Sequence, residues 1–319
     1  MKKSFKVSII MSLIMANIFL IFNIIPFTVV KSDNAFINGA VQISAHRGGA
    51  LLNPENTRKA FDYVIFETNY VDIVEIDVRL TKDKIIVINH DSDVNRMALN
   101  DGEESVDINN HTYMELQNYN LGRNFVSLDG TKPYYEYSTI EAKEAGLNIM
   151  SLEDFFIRYK ETRDIKLFLE IKESGDNGKY IVDRVEEMFN LEFTWWKERT
   201  MFITFDDELV DYIDKNYSSL YVGALGNKVV TQIVYNKLGL DVFYKPNFDC
   251  IQIPYNEKAK KRKINLLTKG IVNSAHKRNQ SVAYWGVNNK EDMKKIIDKG
   301  ADIITTDAPD VLARLLNRQ

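Results

Sequence analysis

Cysteine is scarce in this chain, and several well-known catalytic patterns are absent. Its 319 residues include one cysteine, Cys250, so no disulfide can form within the chain. The patterns G-x-S-x-G, H-E-x-x-H, C-x-x-C and G-x-x-x-x-G-K-S/T do not occur. Acyl hydrolases with a nucleophilic serine, zinc proteases, dithiol oxidoreductases and P-loop nucleotidases therefore lose their usual sequence support.

Acidic side chains are missing from the first 32 residues, which contain four lysines. All 45 aspartates and glutamates lie in the rest of the chain, whose formal charge is therefore more negative than the −4 of the whole sequence. A protein that binds a nucleic-acid backbone needs a basic surface. The charge distribution thus argues against nucleic acid as a partner.

The N-terminal segment is long and apolar. Residues 7–30 contain no charged side chain, which is enough to span the hydrocarbon core of a bilayer. We expect residues 1–32 to be an uncleaved membrane anchor or a signal peptide cleaved after Ser32, with a buried helix as the third possibility. The lysines before the apolar run predict that the protein is secreted or faces outward from the membrane. Residues 33–40 are predicted as a linker and residues 41–319 as one folded unit.

Nine short apolar runs alternate with amphipathic segments of helix length, a pattern typical of α/β folds. The runs are residues 41–46, 72–78, 85–90, 166–172, 201–205, 220–225, 249–254, 281–287 and 301–307. Only a tight turn separates the second run from the third, so this pair must be an antiparallel hairpin, because a parallel pair needs a longer crossover. The other eight runs predict a (β/α)8 TIM-type barrel, preceded by the N-terminal hydrophobic helix.

A long insertion, residues 91–165, follows the hairpin after the second barrel strand. We expect it to form a lid or a small subdomain at the C-terminal ends of the strands, where barrel enzymes carry their active sites. The start of residues 107–122 and residues 150–162 have helical patterns. Outside the insertion, the pattern predicts a helix capped by Asn53, with Pro54 in its first turn.

Carboxylates recur with the strand period of two in two of the barrel runs. Glu75 and Asp77 share one face of their strand, and Glu170 and Lys172 share one face of theirs. Each pair alone is compatible with solvated rim charges or with a salt bridge between Glu170 and Lys172. Three carboxylates at one end of a barrel would repel one another, and a hard divalent cation with oxygen ligands resolves the repulsion. We therefore expect one bound Ca²⁺ or Mg²⁺.

Two histidines end strands at the same end of the predicted barrel. His46 ends the first run and His90 ends the hairpin strand, and paired imidazoles suit acid–base catalysis. Arg47 offers a planar set of donors for phosphate oxygens, and Lys172 offers a second positive charge. Glu55 either complements a helix terminus or orients a catalytic group.

Small and aromatic residues near the same strand ends have less specific interpretations. Gly48 and Gly49 are expected to let the backbone approach a ligand closely. Phe205 and Trp285 each lie where a barrel strand ends. Each is either a core aromatic or a wall of the substrate pocket.

Eight sequence segments occur in a fixed order between residues 42 and 317. They are AHRGG, PENT, EIDVRLTKD, INHD, SLEDFF, LEIK, ITFDDE and YWGVNNKEDMKKIIDKGADIITTDAPD. Together they resemble the glycerophosphodiester phosphodiesterases. The chain departs from that family at Lys84, where glycine is usual, and at Gly286, where threonine is common; neither is a proposed ligand.

The resemblance implies a metal-dependent enzyme that hydrolyses glycerophosphodiesters to glycerol 3-phosphate and an alcohol, through a cyclic phosphate. It implies that His46 and His90 form the acid–base pair and that Glu75, Asp77 and Glu170 hold the metal. The substrate would be a small-molecule or lipid-derived phosphodiester.

The resemblance also implies that Arg47 and Lys172 bind the phosphate, with Glu55 supporting the site. The same chemistry would serve lysophospholipids or glycerophosphate polymers of a cell wall as alternative substrates. From a different functional class, the chain would be a surface binding module without catalysis, although a binding module does not need paired imidazoles.

Overall fold

Eight parallel strands close into a barrel in the computed structural model, which describes residues 8, 9, 11–13, 15, 34–160, 162–255 and 265–318. The strands of the sheet are β1 Gln42–Ala45, β2 Ile73–Leu80, β3 Ile86–Ile88, β4 Met150–Ser151, β5 Lys166–Ile171, β6 Thr200–Thr204, β7 Tyr221–Ala224, β8 Cys250–Pro254, β9 Ser281–Trp285 and β10 Ile303–Thr306. The barrel order is β1-β10-β9-β8-β7-β6-β5-β2, and β2 pairs with β1 to close the ring. The predicted (β/α)8 barrel is confirmed.

The short strands β3 and β4 extend the sheet beyond β2, each antiparallel to its neighbour. The predicted hairpin is therefore confirmed, and all nine apolar runs contain a strand. The strand β4 lies in a segment predicted to be helical. Its last residue, Ser151, caps the helix that follows by accepting the N–H of Asp154, so the strand ends where the helix begins.

Helices surround the barrel and build the insertion. They are α1 Arg58–Asp62, α2 Asn95–Ala98, α3 Tyr113–Leu116, α4 Thr139–Glu144, α5 Leu152–Arg158, α6 Gly175–Leu191, α7 Thr194–Lys197, α8 Asp207–Asn216, α9 Asn227–Lys237, α10 Lys269–His276, α11 Lys290–Ile297 and α12 Pro309–Leu315. Both segments predicted to be helical within the insertion contain a helix, α3 and α5. The apolar side chains of the helices share one core with the outward-facing side chains of the strands.

Strand alternation in β2 divides its side chains between two environments. Val74 and Ile76 pack in the core shared with the helices, whereas Ile73 packs inside the barrel. Glu75 and Asp77 share the parity of Ile73 and therefore point inward. Burying a valine or isoleucine stabilises the fold by about 1.5–3 kcal/mol each, so this facing of the strand is strongly preferred.

The first helix begins later than the sequence pattern predicts. Thr57, not Asn53, is the N-cap of α1, and its hydroxyl accepts the N–H of Ala60. Asn56 precedes the cap with a φ of 55°, a left-handed conformation that no helix can continue through. A helix with Pro54 in its first turn is therefore excluded.

The chain entering β1 closes the N-terminal end of the barrel. Phe36 is fully buried and stacks on Phe168 inside the barrel, with ring centroids 5.5 Å apart. The amide of Asn34 donates to the backbone carbonyl of Asp249 at 2.8 Å. The start of the segment predicted as a linker, residues 34–36, thus packs against the N-terminal end of the barrel, whereas residues 38–40 are exposed.

Most of the predicted anchor or signal segment, residues 1–32, lies outside the described residues. Those of its residues that are described, 8, 9, 11–13 and 15, are helical. Within the described ranges, no helix combines the length and the apolar character needed to cross a membrane. The interpretations of this segment remain predictions.

The insertion, residues 91–165, has a small hydrophobic core of its own against the hairpin. Val87 of β3 packs there with residues that include Leu116. Its neighbours Ile86 and Ile88 face the main core instead. The strand β3 is thus covered on both faces, and this holds the insertion at the C-terminal end of the barrel.

Gly48 is closely packed in the turn after β1. Its φ is 80°, and an added Cβ would lie 2.9 Å from the Cβ of Ala60 and 3.0 Å from the ring of Phe61. Gly49 has a φ of 87°, and its added Cβ would lie 3.2 Å from Pro309. These two buried glycines permit the close approach of α1 and α12. Their expected role in the approach of a ligand stays a prediction.

Gly48→Ala is expected to lower the free energy of unfolding by roughly 2–4 kcal/mol, because left-handed strain and overpacking add. Gly39→Ala is the matched control: its φ is 77°, but beyond its two chain neighbours no atom of the described residues lies within 4 Å of an added Cβ, so only the strain is introduced. Denaturant unfolding followed by circular dichroism measures both. Equal losses in the two variants would contradict the packing argument.

Candidate active site

Three carboxyl groups meet at the C-terminal end of the barrel. One oxygen from each of Glu75, Asp77 and Glu170 lies within 4.8 Å of the others. Asp77 on β2 and Glu170 on β5 are register partners, and Glu75 lies two residues earlier on the same inward face. Glu75 is 3% exposed and Asp77 is fully buried. The barrel register therefore brings together the three acids that strand alternation selects.

Burial gives these acids unlike proton affinities. Burial, with the charge of Asp77, raises the pKa of Glu75 to about 8, and burial also raises the pKa of Glu170. Burial acts the same way on Asp77, but the charges of Lys172 and Arg47 outweigh it and hold the pKa of Asp77 well below its usual range. Without a cation, the triad therefore retains a proton on Glu75 at neutral pH.

The triad fits a hard divalent cation. Oε2 of Glu75 accepts the backbone N–H of Arg47 at 2.7 Å, whereas Oε1 is buried and has no hydrogen-bond partner among the described residues. A buried carboxylate oxygen without a donor is costly. Oxygen ligands from three carboxylates are the kind that Ca²⁺ and Mg²⁺ prefer, and a cation would satisfy that oxygen. The residues present thus suit such an ion.

Two cationic side chains lie against the acids. Arg47 has a φ of 54°, which costs a non-glycine residue about 1–2 kcal/mol, and its Nη1 donates to Glu55 at 3.0 Å. Its Nε lies 3.5 Å from Asp77 and makes no hydrogen bond to any residue that the structure describes. Nζ of Lys172 lies 2.9 Å from Asp77 and donates to Glu170. Both cations are therefore held in place beside the acids.

His46 is held by an acid that directly follows the last barrel strand. Its Nδ1 lies 2.5 Å from Oδ1 of Asp307, whose Oδ2 accepts the amide of Asn288 at 2.6 Å. Burial lowers the pKa of His46, but the charge of Glu75 and the hydrogen bond and charge of Asp307 outweigh it and raise the pKa to about 9. Since Nδ1 is engaged, Nε2 is the nitrogen left for a substrate.

His90 is held by an acid with different surroundings. Its Nδ1 lies 2.7 Å from Asp91, and this hydrogen bond keeps the pKa of Asp91 below its usual range. Nε of Arg96 also donates to Asp91 at 2.7 Å, and the two other nitrogens of its guanidinium donate to Glu55 at 2.7 and 3.1 Å. A guanidinium therefore neutralises the acid beside His90, whereas a neutral amide bonds the acid beside His46.

A cavity of about 140 Å³ opens between these groups. It is lined by His46, Arg47, Glu75, His90, Phe168, Glu170, Lys172, Ile203, Phe205, Leu225, Gln252, Trp285 and Thr305. Phe205 and Trp285 meet edge to face, with centroids 6.5 Å apart, and Phe205 is 54% exposed. These two aromatics therefore lie on the cavity wall. Of the two interpretations of them, the structure supports the pocket wall.

The structure brings together all ten residues selected from the sequence. Eight of them line the cavity. The other two, Asp77 and Glu55, contact cations that line it. The two remaining histidines of the chain lie away from the cavity. Nδ1 of His111 bonds the carbonyl of Asp107, and His276, the last residue of α10, pairs with Asp302.

Four further residues organise the site and were not selected from the sequence. Asp307 and Asp91 bond the two histidines, Arg96 bridges two acids, and the amide of Asn56 donates to Asp77 at 2.8 Å. Two of them had a visible signal: Asp91 directly follows His90, and Asp307 directly follows the last barrel strand. The contact of Asn56 depends on its left-handed backbone, which no sequence pattern specifies.

Comparison with known proteins agrees with this site. The sequence profile of the glycerophosphoryl diester phosphodiesterase family matches residues 46–311. A glycerophosphodiester phosphodiesterase of Bacillus altitudinis is 27% identical over 84% of this chain and 95% of its own length. A lysophospholipase D of Mus musculus is 25% identical over 86% of this chain and 85% of its own length.

Solved structures share the fold. An Oleispira antarctica phosphodiesterase, determined in complex with the product sn-glycerol-3-phosphate, superimposes with a TM-score of 0.63 at 17% identity. The match covers 90% of this chain and 100% of that chain. The profile match spans most of the chain and includes both histidines and the acidic triad. The chain therefore belongs to the glycerophosphoryl diester phosphodiesterase family and is an enzyme of that kind.

Proposed function

We propose that the protein hydrolyses glycerophosphodiesters to glycerol 3-phosphate and an alcohol, with a bound divalent cation and with His46 and His90 as the proton-transfer groups. One observation carries the proposal: two imidazoles, each fixed through Nδ1 by an aspartate, line the same small cavity as an acidic triad and two cations. This combination suits phosphodiester cleavage, which needs charge stabilisation and two proton transfers.

The charged wall of the cavity would bind the phosphodiester group. Glu75, Asp77 and Glu170 would hold the cation, which supplies Lewis-acid stabilisation of charge on phosphoryl oxygens when it is bound. Arg47 and Lys172 line the cavity beside the triad, and their two positive charges would bind the phosphate oxygens.

The acids behind the two histidines favour different roles for them. Asp307 is bonded by a neutral amide, so its charge stabilises a protonated His46. Asp91 shares its charge with Arg96, so it stabilises a protonated His90 less. We therefore assign the general acid to His46 and the general base to His90.

The proposed reaction has two steps. His90 takes the proton of the hydroxyl next to the phosphoester, and that oxygen attacks phosphorus. His46 gives its proton to the oxygen of the departing alcohol, which leaves a five-membered cyclic phosphate. Water then opens the ring, with the two histidines in exchanged roles. A substrate whose vicinal hydroxyl is methylated should show no turnover, whereas retained turnover would indicate direct attack by water.

Lysophospholipids are a second candidate substrate class. The mouse relative is named a lysophospholipase D, and the exposed Phe205 would offer an apolar contact at the edge of the cavity. Choline release from glycerophosphocholine and from lysophosphatidylcholine, measured side by side, separates the two classes. Turnover of neither substrate, with the cation present, would contradict the proposed function.

Arg96 is expected to act on turnover through His90. Arg96→Leu removes the hydrogen bond that Arg96 donates to Asp91. We expect kcat to fall by roughly 10- to 100-fold, because Asp91 then no longer holds the imidazole of His90 in place. Arg158→Leu is the matched control, because Arg158 makes a similar two-bond contact to Asp62 away from the cavity. Steady-state kinetics with thermal melting tests this. Equal kcat values in both variants would show that the contact between Arg96 and Asp91 does not affect turnover.

A further inference from the structure

A second cavity lies at the N-terminal end of the barrel, opposite the active site. Its volume is about 500 Å³, and its lining includes Ala35, Lys166 and Arg199. Lys166 begins β5, and Glu170 of the acidic triad lies four residues further along the same inward face, roughly 13 Å away. None of the residues that line this cavity takes part in the proposed reaction. We call it the lower cavity.

Lys166 is a partly buried ammonium group whose hydrogen bonds go to neutral acceptors. Its Nζ donates to the backbone carbonyl of Ala35 at 2.5 Å and to the amide oxygen of Gln42 at 2.9 Å. No carboxylate of the described residues forms an ion pair with it, and burial lowers its pKa. Lys197, which also lines the cavity, is instead paired with Glu186 at 2.8 Å. Because a charge removed from water is costly unless it is paired, an anion in the lower cavity would stabilise Lys166.

Arg199 brings a second group of donors to the lower cavity. Its guanidinium lies 4.5 Å from the ring centre of Trp195, its Nε pairs with Asp164 at 3.2 Å, and its Nη1 donates to the carbonyl of Trp195. Its Nη2 has no hydrogen-bond partner in the described part of the chain. The two acids of the cavity, Asp164 and Glu198, are exposed, so water screens their charges. A planar guanidinium and an ammonium group in one cavity suit phosphate oxygens.

The chain enters the folded unit beside the lower cavity. Asn34 is 4% exposed, and its amide donates to the carbonyls of Asp249 and Asn279, which precede β8 and β9. The next residue, Ala35, lines the cavity. The uncharged run of residues 7–30 ends four residues before Asn34, and four residues of extended chain span at most about 14 Å. A bilayer that holds this run therefore lies close to the N-terminal end of the barrel.

A membrane phospholipid is the ligand that fits both observations, because it combines a phosphate for the cations with a position next to the attachment point. We propose that the lower cavity binds the phosphate of an anionic phospholipid, so that the N-terminal end of the barrel lies against the bilayer and the active site faces away from it. This inference goes beyond the proposed function and rests on the predicted membrane anchor.

The lipid site is tested on the full chain in a neutral detergent, titrated with dihexanoyl phosphatidic acid after removal of divalent cations. The glycerol of this lipid has no free hydroxyl, so it lacks the group that attacks phosphorus in the proposed reaction. We expect saturable binding and a higher melting temperature. Lys166→Met and Arg199→Gln should each weaken binding by roughly fivefold or more, the usual effect of one cation at an anionic lipid surface.

Lys84→Met is the matched control for Lys166→Met. Nζ of Lys84 also bonds a neutral acceptor, the amide oxygen of Asn177 at 3.0 Å, but Lys84 lies in the turn of the hairpin at the active-site end. This variant should bind the lipid as tightly as the wild type. Thermal melting verifies that each variant is folded, and turnover of glycerophosphocholine should equal that of the wild type in all three.

The orientation is tested with a fluorophore at either end of the barrel, in the full chain reconstituted into vesicles that contain phosphatidic acid. Ser219→Cys places the fluorophore at the lower cavity, and Ser174→Cys places it after β5 at the active-site end. Both serines are exposed, whereas Cys250 is fully buried and escapes labelling. A lipid with a quencher on its head group should quench the fluorophore at residue 219 several times more strongly than that at residue 174.

Four results would overturn the inference while leaving the proposed function intact. Equal quenching at the two ends would refute the orientation, and unchanged lipid affinity in both cavity variants would refute the site. Binding of inorganic phosphate as tight as that of phosphatidic acid would indicate a site for free phosphate. Recovery of a mature chain that begins at Asp33 would remove the attachment on which the inference rests.

Discussion

His46→Ala is expected to lower kcat on glycerophosphocholine by roughly 10²- to 10⁴-fold, the usual contribution of a general acid. His46 lines the cavity, and its Nδ1 is fixed by Asp307, whose charge and hydrogen bond favour the protonated imidazole. Without the imidazole, the departing choline oxygen has no proton donor.

The leaving group distinguishes an acid from a base. A glycerophosphate ester of 4-nitrophenol needs little proton donation, because nitrophenolate is already a good leaving group. The loss of activity in His46→Ala should therefore be much smaller on that ester than on glycerophosphocholine. His90→Ala should lose activity on both substrates. If His90→Ala, and not His46→Ala, kept its activity on the nitrophenyl ester, then His90 would be the general acid and His46 the general base.

His276→Ala provides the matched control for His46→Ala. Nε2 of His276 lies 2.9 Å from Asp302, so this histidine is also paired with an aspartate. It ends α10 and does not line the cavity. Its replacement should leave kcat on both esters within about twofold of the wild type, since a substitution away from the reacting atoms seldom changes transition-state binding. A large loss would mean that general destabilisation, and not chemistry, explains the His46 variant.

Strand periodicity was sufficient to predict the acidic triad. Outward aliphatic side chains on β2 and β5 leave one face for Glu75, Asp77 and Glu170, and a barrel has only one interior. The end of a strand likewise predicted where His46 and His90 would lie. These inferences succeed because side-chain direction in a strand depends only on local alternation.

The residues that bond the histidines and acids of the site could not be predicted from strand periodicity. Asp307 meets His46 across the whole chain, and Arg96 meets Glu55 through the fold of the insertion. Long-range contacts of this kind depend on barrel closure and on loop paths, which local patterns do not encode. The start of α1 was predicted wrongly for a related reason. Asn56 has a left-handed backbone that allows its contact with Asp77 and that no helix can continue through.

Removal of divalent cations is expected to abolish turnover of glycerophosphocholine, and added Ca²⁺ or Mg²⁺ should restore it. The same ion should raise the melting temperature of the wild type by a few degrees at saturation, because it binds the folded triad and not the unfolded chain. Glu75→Gln should lose both effects, since Oε1 of Glu75 is a buried carboxylate oxygen with no hydrogen-bond partner in the described part of the chain. Glu186→Gln, which alters an acid paired with Lys197 on the outside of the barrel, should retain both.

The pH dependence of cation binding follows from Glu75. Burial raises its pKa to about 8 in the cation-free site, so below that pH a proton occupies the group and the cation must displace it. Affinity should therefore weaken by up to about tenfold per pH unit below 8 and level off above it. Titration calorimetry at pH 6, 7 and 9 measures this together with proton release. Affinity independent of pH would mean that the cation binds without Glu75, and the thermal shift of Glu75→Gln would then match that of the wild type.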